Sequence, residues 1–63
     1  MCEFNVIFDG EIVFKDAIYA KKENSTVIVK DILGAKREFN DCQIIEVDVN
    51  STRLVLAEKI DKQ

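Results

Sequence analysis

The chain contains no histidine, no tryptophan and no proline, and it holds only two glycines and two cysteines in 63 residues. Without histidine, no Ser-His-Asp or Cys-His arrangement can form, although a cysteine alone could still act as a redox thiol. With Gly10 and Gly34 far apart, no glycine-rich phosphate loop exists. The absence of proline leaves every strand pattern intact. No apolar stretch approaches the roughly 20 residues that a membrane-spanning helix needs. Nor does a basic segment followed by an apolar one open the chain after Met1-Cys2-Glu3, so no secretory leader is expected. A cytoplasmic location follows as the expectation, with both thiols reduced. Two cysteines do not make a disulfide framework. Asn24-Ser25-Thr26 and Asn50-Ser51-Thr52 match the glycosylation pattern, but without a leader both read better as turns.

What is present is an apolar content of 48%, enough to exclude disorder by composition, and a formal net charge of -3. Nucleic-acid binding needs clustered cations. Here Lys15, Lys21-Lys22, Lys30, Lys36-Arg37, Arg53, Lys59 and Lys62 are scattered, so nucleic acid is not the expected partner. At this length a single domain over residues 1–63 is expected, with a marginal core that oligomerisation or a metal would help.

Along the chain, short strands alternate with turn signals. Cys2, Phe4, Val6 and Phe8 recur with period two, the pattern of a half-buried strand, and Ile7 suggests that its other face is partly covered. Asp9-Gly10 is a hairpin signal leading to a return strand over Glu11–Phe14. Further strands are predicted at 17–22, 25–30, 36–39, 43–49 and 53–58. Turns fall at Glu23-Asn24, Asp31–Gly34, Asn40-Asp41 and Asn50–Thr52. Thr26-Val27-Ile28-Val29 is rich in β-branched residues and suits a central strand, and Gly34 fits a turn position at positive φ. A short helix over Asp16–Lys22 is the alternative for that stretch. The fold class is therefore all-β, a small antiparallel barrel or sandwich.

Three features attract chemical interest. Cys2 stands one residue from the amino terminus, where thiolate, amine and backbone nitrogen can close chelate rings around nickel, copper or zinc. From residue type alone the plainer reading is a small apolar residue opening a strand. Cys42 follows Asn40-Asp41 and would ligate a metal only if folding brought it to Cys2. Glu46, Asp48 and Glu58 look like a carboxylate set, but they read as outward-facing charges alternating with inward Ile45, Val47 and Val49. Tyr19 and the four phenylalanines are candidates for core or subunit interface. A nucleic-acid face would need a stripe of Lys21, Lys22, Lys36 and Arg37.

Three segments together resemble the CooT-like family, over essentially the whole chain. They are the start Met1-Cys2-Glu3 running into a strand, the segment Val27-Ile28-Val29-Lys30-Asp31-Ile32-Leu33-Gly34, and the closing Ile45–Val49 and Arg53–Leu56. The family's type member is associated with nickel and with maturation of carbon monoxide dehydrogenase, and members have also been labelled predicted RNA-binding proteins. The resemblance implies an SH3-like or Sm-like small barrel that forms a homodimer. It implies that Cys2 of each subunit binds one Ni(II) between the subunits, for delivery to a nickel enzyme, with no catalysis. Cys42 departs from the family pattern. A two-fold dimer suits the chemistry, because one chain cannot readily fill four positions from a lone thiol.

Overall fold

A computed structural model describes residues 3–59. It contains six strands: β1 (Phe4–Phe8), β2 (Glu11–Glu23), β3 (Thr26–Asp31), β4 (Lys36–Asn40), β5 (Cys42–Asp48) and β6 (Arg53–Glu58). Local chemistry sets the connections. Asp9 and Gly10 both take positive φ, 54° and 76°, which a tight primed hairpin turn requires. Asn24 (φ 57°) turns β2 into β3, and Asp41 (φ 58°) is the single residue between β4 and β5. Asp31 organises the β3–β4 turn. One of its carboxylate oxygens accepts from the Leu33 and Ala35 amides at 3.0 and 2.8 Å, while Gly34 (φ 94°) donates to the Asp31 carbonyl at 3.1 Å.

The stretch Asp16–Lys22 is strand, not helix, because β2 runs unbroken from residue 11 to 23. It bends at Asp16, whose φ is 60°, and register shifts flank that point on both sides. The first half of β2 pairs with β1 and the second with β3, both antiparallel. This bulge gives one strand two partners in different directions.

The sheet order is β4-β3-β2-β1-β6-β5. The expectation of a purely antiparallel barrel is corrected in two respects. β1 and β6 pair in parallel, with Val6 beside Leu54 and Phe8 beside Leu56. The sheet also stays open, since β4 and β5 form its two edges. The long return from β2 to β6 delivers the last strand to the free side of β1 in β1's own direction. The start of β5 also meets the start of β3, where the Ser25 carbonyl accepts from the Cys42 amide at 2.9 Å.

One face of the sheet forms the core. Val6, Ala17, Val27, Val29, Cys42, Leu54 and Leu56 are buried, and Phe4, Phe8, Phe14, Phe39 and Ile44 pack against them. Phe4, Val6 and Phe8 thus share the inner side of β1. On the outer side, Ile7 faces Ile12 and Val55 in register, which accounts for its partial cover. Among the described residues no helix is long and apolar enough to cross a membrane.

Truncating Leu56, which is 1% exposed, should cost about 2–5 kcal/mol, a large share of the stability of so small a domain. Lys15→Ala, at an exposed position, should stay within about 0.5 kcal/mol. Urea unfolding of the two variants beside the parent checks the contrast.

Candidate functional site

Two cross-strand rows define one margin of the sheet. Phe4 stands opposite Ala17, and Ala17 opposite Asp31, across β1, β2 and β3. Asn5 stands beside Arg53, and Arg53 opposite Asp48, across β1, β6 and β5. The chain enters β1 at this margin. Cys2 itself lies outside the described residues, and Glu3, which joins it to Phe4, is exposed.

Beside this entry the inner face is uncovered. A groove of about 240 Å³ opens between β2 and β5, floored by Phe4, Ala17, Ala20, Ile44, Val47 and Leu54. Ile18 and Tyr19 also contribute to its wall. It is almost wholly apolar and below the roughly 300 Å³ at which small-molecule pockets begin. Its floor is continuous with the core, because Phe4 and Ile44 pack on the buried cluster.

β5 explains part of the opening. Its register shifts between Ile44 and Glu46. The extra residue breaks the alternation that the sequence suggested. Ile45 is therefore exposed, as is Val49 beyond the strand, whereas Val47 stays on the inner face opposite Leu54 but is left uncovered in the groove, and Ile44 alone of the β5 aliphatics packs on the core. Glu46 and Glu58 are exposed, as expected for solvated charges, and share no site. Asp48 serves a turn: one carboxylate oxygen accepts from the Asn50 and Ser51 amides at 3.0 and 3.4 Å. Hydrogen bonds from Ser51, then from the Asn50 amide, and the Arg53 charge hold this carboxyl below the usual range, against slight desolvation.

Cys42 is placed at the far end. It faces Glu58 across the β5–β6 ladder, whereas Arg53 flanks Asn5 at the entry of β1. Five residues of strand separate these rows, about 17 Å. The thiol is buried and donates to the Asn40 carbonyl at 3.5 Å. Desolvation, then the charges of Glu58 and Asp41, push its pKa up. It is a packed thiol, poorly suited to ligate metal at neutral pH. Among the described residues no group of three or more Cys, Asp or Glu side chains could hold a metal ion.

The four cations of the possible nucleic-acid stripe are divided between two faces. Lys21 and Lys36 lie opposite Ile28 and Lys30 on the outer face, where they approach Glu23 and Glu38 at 4.0 and 3.8 Å. Lys22 and Arg37 lie on the face of Val27 and Val29. There Lys22 donates to the Asn24 carbonyl at 2.6 Å. Arg37 donates to the Val13 carbonyl at 2.9 Å and stands over the Phe39 ring. No continuous cationic track results from these four side chains.

The family model described as CO dehydrogenase accessory protein CooT matches residues 1–57. A curated relative, the uncharacterized protein MJ1551 of Methanocaldococcus jannaschii, is 34% identical over 56 residues, covering 89% of this chain and 96% of that protein. The matched span includes Cys2 and all but the last residue of β6.

Two outcomes follow from the thiol and the turn. Cys42 in the native protein should react with an aromatic disulfide reagent at pH 8 at least ten-fold more slowly than in urea, measured in a Cys2→Ser background. For Asp48, a pKa lowered by folding means stability that is present above the unfolded value, about pH 4. That stability is lost as pH falls through the lower folded value. The advantage of the parent over Asp48→Asn in urea unfolding should hold at pH 7 and vanish in strong acid.

Proposed function

Since the chain belongs to the CooT family of carbon monoxide dehydrogenase accessory proteins, we propose that it is a non-catalytic Ni(II)-binding protein that carries nickel for carbon monoxide dehydrogenase or another nickel enzyme. Two subunits hold one ion between them through Cys2. The observation that carries this reading is the coincidence of the family match, which includes Cys2, with an apolar groove at the strand that Cys2 leads into.

The donor set suits the metal. A thiolate with amine or amide nitrogen favours divalent nickel or copper in planar geometry. With Cys42 buried, Cys2 is the candidate thiol of each chain. Isologous symmetry would bring two copies of Cys2 to a common axis. An apolar surface next to that axis would exclude water and hold the subunits together. Binding would release protons from thiol and amine, so affinity would fall in acid. The absence of histidine makes sulfur the soft donor on which selectivity rests. Such a protein would act in the cytoplasm, where thiols stay reduced.

Titrating reduced protein with Ni(II) should produce thiolate-to-nickel charge-transfer absorption that saturates near one ion per two chains. Cys2→Ser should abolish it and Cys42→Ser should leave it intact. Absorption that survives Cys2→Ser would refute the site. Salt-sensitive RNA binding lost on replacing Lys21 and Lys36 would instead favour the nucleic-acid reading.

A further inference from the structure

We draw no further inference here: the strongest candidate, the exposed Ile32-Leu33 tip of the β3–β4 turn beside the outward Lys30 and Lys36, carries nothing because nothing in the structure shows what covers it.

Discussion

The bend in β2 at Asp16 is the constraint on which the remainder of the fold depends. One strand must serve β1 with its first half and β3 with its second. The bend changes the strand's direction between these two duties and lets a single sheet enclose its own inner face. Phe14 and Ala17 on either side of the bend both reach the core. A straight strand of thirteen residues would hold β1 and β3 in one plane, and the seven buried side chains would have no common interior.

Enclosure by one sheet of this size is incomplete. Surface-to-volume scaling leaves a 63-residue chain with little to bury, and the buried set is mostly valine and alanine-sized, with two leucines. The uncovered part falls where β2 and β5 diverge, at the margin where the chain enters β1. The bulge contributes by leaving Ile45 exposed on an edge strand.

Much of this was legible in the sequence, because turn chemistry is local. Asp9-Gly10, Asn24, Asp31 with Gly34, and Asp41 all mark connections that the structure contains. The strand segments and the inward Phe4, Val6 and Phe8 follow from period two. The illegible parts are non-local or break the period. Parallel pairing of β6 with β1 depends on where a distant strand lands, which adjacent residues do not encode. The bulge at Ile45 gives Ile44 the core position that alternation assigns to Ile45. Asp16 carries no glycine to announce its positive φ. For the candidate site, sequence supplied Cys2 and the family, whereas the groove needed Phe4, Ala20, Val47 and Leu54 to be brought together from four strands. The separation of Cys42 from the β1 entry also emerged only from register.

The parallel pairing of β1 with β6 bears on how the molecule comes into being. Val6 and Leu54 pair although nearly the whole chain lies between them. Loop-closure entropy is greatest for such a contact, and folds built on distant pairings assemble slowly. During synthesis β1 emerges first and can acquire β2 at once, but its other edge waits for the last strand. Until then that edge is an open template for another nascent chain. The fold is therefore completed at its beginning and its end together, and folding competes with aggregation for as long as β6 has not been made.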